Sequence, residues 1–112
     1  VIYYSKLTHM HYLQSIEDDN IDVLGIDWRA DLNTTLKTLG NDYYIQGNFD
    51  PSHLHLPWEH VEKNLEIFWN NLQDGNVPLE KWICGLGHGV LQHTPEANVK
   101  GAVDYIHKNF VY

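Results

Sequence analysis

Cysteine is nearly absent from this chain. Cys84 stands alone, so no internal disulfide can form, and a reducing interior is the simpler expectation. Basic charge is scarce as well: seven Lys and Arg face fifteen Asp and Glu, giving a formal net charge of −8 with histidine neutral, and Arg29 is the sole arginine. Phosphate backbones are gripped by clustered Lys and Arg, so the composition argues against nucleic acid as a partner. The same balance sets a problem for any anionic small substrate, whose cationic partners would have to come from Arg29, a few lysines, backbone amides or residues outside this chain. No run approaches the roughly 20 apolar residues needed to span a bilayer, and the first residues lack the basic-then-apolar form of a signal peptide, so no membrane partner is expected. Proline and glycine are too few for a disordered or collagenous chain. At 112 residues and 43% hydrophobic content, one soluble domain fits and two ordinary ones do not.

What is present is a repeating alternation of short apolar runs and helical patterns. Val1 to Tyr4 is β-prone and begins without a leading turn or cap, as though the chain opened inside an element. Thr8 to Glu17 follows with Met10, Leu13 and Ile16 at helical spacing, then Ile21 to Ile26 as an apolar strand. Asp31 to Leu39 repeats the helical pattern and stops at Gly40, and Tyr43 to Ile45 reads as a strand that breaks at Gly47-Asn48. The clearest helix carries Trp58, Val61, Leu65, Phe68, Trp69 and Leu72 on one face, with Pro57 suited to its first position and Gly75 to its end. Lys81 to Leu86 is the fourth strand. The last helix opens at Thr94-Pro95-Glu96, with Thr94 as cap and Pro95 at the first position, and runs along Val99, Ala102, Val103, Ile106 and Phe110. The pattern βαβαβαβα predicts a parallel α/β sheet, its strands apolar enough to be covered on both faces, either open or forming half of an eight-unit barrel. Both architectures place ligands at the C-terminal ends of the strands.

Those ends collect the polar residues: Lys6 and His9, then Asp27 and Trp28, then Gln46 to Pro51, and finally Gly87-His88-Gly89. Three glycines around one histidine predict a tight turn or a ligand lying against the main chain, with His88 at its mouth. Asp27 has two readings, a functional carboxylate or a cap for the next helix. Asp50, before Pro51, reads as a turn former. Eight histidines invite a metal hypothesis, but His9 and His11, His53 and His55, and His60 lack a recognised ligand spacing, and Cys84 with His88 makes only two ligands. Cys84 within an apolar strand reads as a buried thiol rather than a nucleophile. The absence of G-x-G-x-x-G after the first strand and of G-x-x-x-x-G-K-[ST] disfavours dinucleotides and nucleoside triphosphates.

Leu24-Gly25-Ile26-Asp27-Trp28, Ile45-Gln46-Gly47-Asn48-Phe49-Asp50-Pro51, Leu86-Gly87-His88-Gly89 and Thr94-Pro95-Glu96, in this order and spacing, resemble the C-terminal part of uroporphyrinogen decarboxylase. The resemblance covers essentially the whole chain. It implies a single (β/α)8 TIM barrel, of which residues 1–112 supply about the last four βα units. It also implies a cytoplasmic homodimer, no metal or organic cofactor, and removal of four acetate carboxyl groups from uroporphyrinogen III to give coproporphyrinogen III. By the same comparison the N-terminal half of the barrel is missing, with the arginines that bind substrate carboxylates, the aspartate that faces the pyrrole nitrogens and an active-site tyrosine. No catalytic residue is therefore assigned within this chain. His88 carries over as a substrate-binding group, and the piece alone is expected to be inactive. One departure is Gly85, preceded by Cys84, where family members commonly have asparagine before Leu-Gly-His-Gly. The alternatives are a zinc-dependent methyltransferase-like barrel acting on corrinoid or thiol substrates, whose ligand pattern is not visible, and a non-catalytic tetrapyrrole-binding module.

Overall fold

Residues 2–4, 20–87, 89–90 and 92–111 are described by the computed structural model. Their strands are β1 (Ile2–Tyr4), β2 (Val23–Gly25), β3 (Tyr44–Phe49) and β4 (Trp82–Leu86), and their helices are α1 (Leu32–Leu39), α2 (Trp58–Asp74) and α3 (Glu96–Asn109). The helix expected over Thr8 to Glu17 lies outside the described residues. All three strand pairs are parallel and the strand order follows chain order, β1-β2-β3-β4. Parallel neighbours require a crossover, which α1 supplies between β2 and β3 and α2 between β3 and β4.

Local chemistry explains most element ends. Asp31 caps α1, its Oδ1 accepting the Thr34 N–H at 3.2 Å, and Lys37 lies in the last turn where the helix dipole favours a cation. The two proline-led helices correct the expected registers. Pro57 and Pro95 are the residues before the first helical turn rather than within it, with ψ of 146° and 121°, and neither helix has a side-chain cap. Proline's fixed φ suits either position, so sequence alone does not separate them. Thr94, expected to cap α3, instead shares a 2.9 Å hydrogen bond with His55 Nε2. Two short 3-10 segments, Pro51–His55 and Leu79–Lys81, were not expected, and the second moves the start of β4 from Lys81 to Trp82.

The hydrogen-bond register sorts the strand residues into two faces. Tyr3, Leu24, Ile45 and Trp82 form one row across the sheet, and Tyr4, Gly25, Gln46 and Ile83 the next. The first row joins a core made with Leu36 of α1, Leu65 and Trp69 of α2, and Ala102 of α3, so all three helices cover the same face. Each fully buried Leu or Ile in this layer contributes about 1.5–3 kcal/mol. Aromatic stacking ties the layer together: Trp69 lies 4.7 Å from Phe110 with planes 12° apart, and Phe68 meets Phe49 edge-on at 5.5 Å. The opposite face does not meet the expectation of cover on both sides, since Ile2, Tyr4, Tyr44 and Ile83 remain exposed.

The sheet coils toward that uncovered face. Tyr4 of β1 donates its hydroxyl proton to the Gly87 carbonyl just after β4, at 2.5 Å. Three strand spacings of about 4.8 Å separate these strands in a flat sheet, farther than one tyrosine side chain spans, so the outer strands must curl toward each other. The Tyr4 ring lies along the concave side, where a Cβ on Gly25 would be 3.0 Å from Tyr4 Cδ2.

Candidate active site

Coiling brings the C-terminal ends of the strands to one place. Asp27 follows β2 and is 2% exposed. Its Oδ1 accepts the Arg29 N–H at 2.9 Å, and its main-chain carbonyl accepts the Ala30 N–H, so the residue closes a turn before α1. The cap of α1 is Asp31, which settles one of the two readings of Asp27: it does not cap the helix. Asp27 Oδ2 is buried and has no hydrogen-bond partner among the described residues. A buried carboxylate oxygen left without a donor is costly and concentrates negative potential at the strand mouth. Tyr4 feels that potential: burial first, and the Asp27 charge second, raise its phenol above the ordinary 10.0.

Asn48 braces this turn. Its side-chain N–H groups donate to the Asp27 carbonyl at 2.9 Å and the Ala30 carbonyl at 2.6 Å, binding the end of β3 to the segment after β2. The strand was expected to break at Gly47-Asn48, yet β3 runs through both to Phe49. Glycine fits at 47 because φ is 139° and a Cβ there would lie 2.8 Å from the Ile26 carbonyl oxygen. Residues that read as turn formers are here the means by which two strands approach closely. Neither Asn48 nor Tyr4 was singled out as a site residue, because nothing local in the sequence reveals a hydrogen bond to a residue 21 or 83 positions away.

Beyond β4, Gly87 packs against the main chain of Trp28, where a Cβ would fall 2.3 Å from Trp28 N. Trp28 is 38% exposed at the mouth and carries the Arg29 guanidinium over its ring, 5.1 Å from the centroid. Arg29 has no carboxylate partner among the described residues and therefore presents a cation at this end of the sheet. His88 lies outside the described residues, as do Lys6 and His9. Asp50 behaves as a turn former should, its Oδ1 accepting both Ser52 N at 2.9 Å and Ser52 Oγ at 2.8 Å. His53 and His55 lie on the 3-10 segment, the His53 ring meeting Phe49 edge-on at 5.4 Å, and His60 is exposed on α2. Among the described residues no three His, Cys, Asp or Glu groups are placed to hold a metal ion. Cys84 is half-buried, and burial pushes its thiol up to about 11, as a structural rather than nucleophilic cysteine requires. A cavity of about 510 Å³ lies on the helix side, between β4, α2 and α3, lined by apolar groups such as Phe68, Val99 and Ile106. It is separate from the polar strand mouth.

Comparison with known proteins decides what this mouth belongs to. The family model described as Uroporphyrinogen decarboxylase (URO-D) matches residues 1–109. The chain belongs to the uroporphyrinogen decarboxylase family. Among its relatives is the uroporphyrinogen decarboxylase of Edwardsiella ictaluri, 32% identical over 97 residues, 87% of this chain and 26% of that protein. The enzyme of the same name from Staphylococcus haemolyticus is 35% identical over 98 residues, 87% of this chain and 27% of that protein. That of Koribacter versatilis is 34% identical over 96 residues, 86% of this chain and 26% of that protein. The chain thus spans about a quarter of the length of the curated relatives it matches. The family's α/β architecture agrees with the parallel four-stranded sheet and its helices. No described helix is long and apolar enough to cross a membrane.

Proposed function

We propose that these residues form the last four βα units of a (β/α)8 barrel that decarboxylates uroporphyrinogen to coproporphyrinogen. The observation that carries this reading is the convergence of Tyr4, Asp27, Asn48 and Gly87 at the C-terminal ends of four parallel strands, where a barrel builds its active site. Two features support the barrel over an open doubly wound sheet. Among the described strands the order advances without the reversal that makes a switch point, and the sheet coils toward a face that the described helices do not cover. Four of eight units in about a quarter of the relatives' length would leave the longer loops, and the main cationic ligands, to the remaining sequence. The cavity beside β4 then marks where the barrel-closing elements pack.

In this reading each substrate acetate loses carbon dioxide and gains a proton, becoming a methyl group. Protonation of the neighbouring pyrrole α-carbon turns the ring into an electron sink, so the C–C bonding pair flows into the ring as carbon dioxide departs, and the ring later returns its added proton. The protein's task is to orient the macrocycle and offset charge. His88 hydrogen-bonds a substrate carboxylate, and Arg29 on Trp28 offers a further cation at the mouth. Activity resides in the complete barrel, as a cytoplasmic homodimer, without metal or organic cofactor.

The complete protein, exhaustively chelated, is expected to release carbon dioxide from uroporphyrinogen and yield coproporphyrinogen. Activity lost on chelation and restored by zinc would replace this reading with methyltransferase-like chemistry. Tight porphyrinogen binding without carbon dioxide release would replace it with a binding module.

A further inference from the structure

Among the described residues, Asp27 is the only carboxylate that the fold buries. The strand ladder says which side of the sheet it is on. Ile26 continues the pairing beyond β2, its N–H donating to the Gln46 carbonyl at 2.9 Å, and its side chain enters the helix-covered core. Alternation then puts Asp27 on the concave side, with Gly25. Its charge is felt there, since after burial it is the second cause that raises the phenol of Tyr4, whose ring lies along that side. The carboxylate is only half satisfied. Oδ1 accepts the Arg29 main-chain N–H, but the Arg29 guanidinium stacks on Trp28, and Oδ2 has no donor among the described residues. The turn before α1 uses only Oδ1 and the main-chain carbonyl of Asp27, which the Ala30 N–H and the Asn48 amide reach. A neutral side chain with one acceptor oxygen would hold the same turn, without the cost of burying a charge. The negative charge is therefore more than the local fold requires.

We propose that the Asp27 carboxylate serves the reaction through its charge, stabilising the substrate ring while that ring is cationic. This rests on the reading above that the strand mouth decarboxylates uroporphyrinogen. A proton taken from solvent onto a pyrrole α-carbon gives the ring one positive charge. Cleavage of the bond to the carboxylate then sends its electron pair into the ring, cancels that charge and frees carbon dioxide. A second solvent proton completes the methyl group and the α-carbon returns the first, so each carbon dioxide released consumes one proton. A fixed negative charge favours only the cationic stage of this sequence. In the ground state it repels the substrate's own carboxylates, so Asp27 lowers the barrier and does not aid binding.

The test is Asp27→Asn in the complete protein with uroporphyrinogen as substrate. Asparagine keeps an oxygen for the Arg29 N–H and removes the charge. The kcat for carbon dioxide release is expected to fall about ten- to hundredfold, with KM unchanged or lower. The thermal unfolding midpoint should hold or rise, because an unpaired buried charge has gone. Asp74→Asn removes the same charge from the exposed end of α2, which leads to the start of β4 and not to the strand mouth, and should leave kcat and KM within about twofold. Wild-type kcat in Asp27→Asn would overturn this proposal alone. So would a raised KM with kcat intact, which marks a binding group, or a midpoint that falls together with kcat, which marks a structural one. No carbon dioxide release by the unaltered complete protein would overturn the decarboxylase reading and this proposal with it.

Discussion

At the scale of single residues, Asp50 and Asp27 show what sequence can and cannot reveal about a carboxylate. Asp50 precedes proline and bonds Ser52 two residues on, a local arrangement that residue order alone predicts. Asp27 also bonds two residues on, to Arg29 N, but it is buried beside Asn48, which donates to its main-chain carbonyl, and its Oδ2 has no hydrogen-bond partner among the described residues. Those are consequences of the fold and leave no local trace. His88 was assigned to substrate on its resemblance to a family motif, and it lies outside the described residues, so that assignment is a proposal. In the complete enzyme His88→Asn should cut kcat/KM about tenfold or more, the worth of one charge-assisted hydrogen bond, whereas His60→Asn on the exposed side of α2 should leave it within about twofold. Matching steady-state constants for the two variants would remove His88 from the site. Cys84 offers a pH test. Its folded thiol is raised from the ordinary 9.0 to about 11 by burial. A group whose folded pKa is raised stabilises the fold fully below the unfolded value and loses that contribution as pH climbs through the folded one. Urea unfolding midpoints should therefore fall between pH 9 and 11, and Cys84→Ala should flatten part of that decline while lowering stability at pH 7. An identical slope in the variant would mean the thiol titrates normally.

At the scale of elements, legibility follows how strongly local periodicity agrees with tertiary packing. The face of α2 is read directly from spacing because Val61, Leu65, Trp69 and Leu72 all enter the core. The stripe on α3 is less faithful: Val103, on the expected apolar face, is 45% exposed. Val103 lines the cavity next to β4. β3 was read too short because Gly47 and Asn48 punctuate most sequences, whereas here they permit close approach to Ile26 and brace the turn after β2. The 3-10 segment at Pro51–His55 has no hydrophobic period to betray it. Burial within α2 yields a stability prediction. Leu65 is 1% exposed and Ile67, two positions on, is 46% exposed. Leu65→Ala should cost about 2–5 kcal/mol in denaturant unfolding, through lost transfer energy and a residual cavity. Ile67→Ala should stay within about 0.5 kcal/mol, aided by alanine's helix propensity. Equal losses would show that the face of α2 assigned to solvent is covered in the complete protein.

At the scale of the molecule, the fold class was legible because four repeats of one pattern leave few arrangements, and the parallel sheet in chain order is one of them. Closure is a different matter, since it depends on what β1 and β4 pair with. Both are outer strands of the described sheet, and an outer strand presents unpaired N–H and C=O groups to any partner. The face toward which the sheet coils exposes Ile2 at 61%, Tyr44 at 44% and Ile83 at 38%. A surface with two open edges and an apolar concave side gains from association, while the net charge of −8 opposes it only weakly at physiological salt, where screening acts within about 8 Å. The isolated 112-residue chain is therefore expected to self-associate, and to turn over no uroporphyrinogen, because the proposed carboxylate-binding cations lie mostly elsewhere. Chromatography with in-line mass measurement reads the first expectation and carbon dioxide release the second. Mixing the chain with a polypeptide carrying the rest of the barrel should shift it to a defined complex and bring turnover with it. A monomeric chain that decarboxylates uroporphyrinogen at the rate of the complete enzyme would refute the half-barrel reading at once, since it would place every necessary group on the strand mouth formed by Tyr4, Asp27, Asn48 and Gly87.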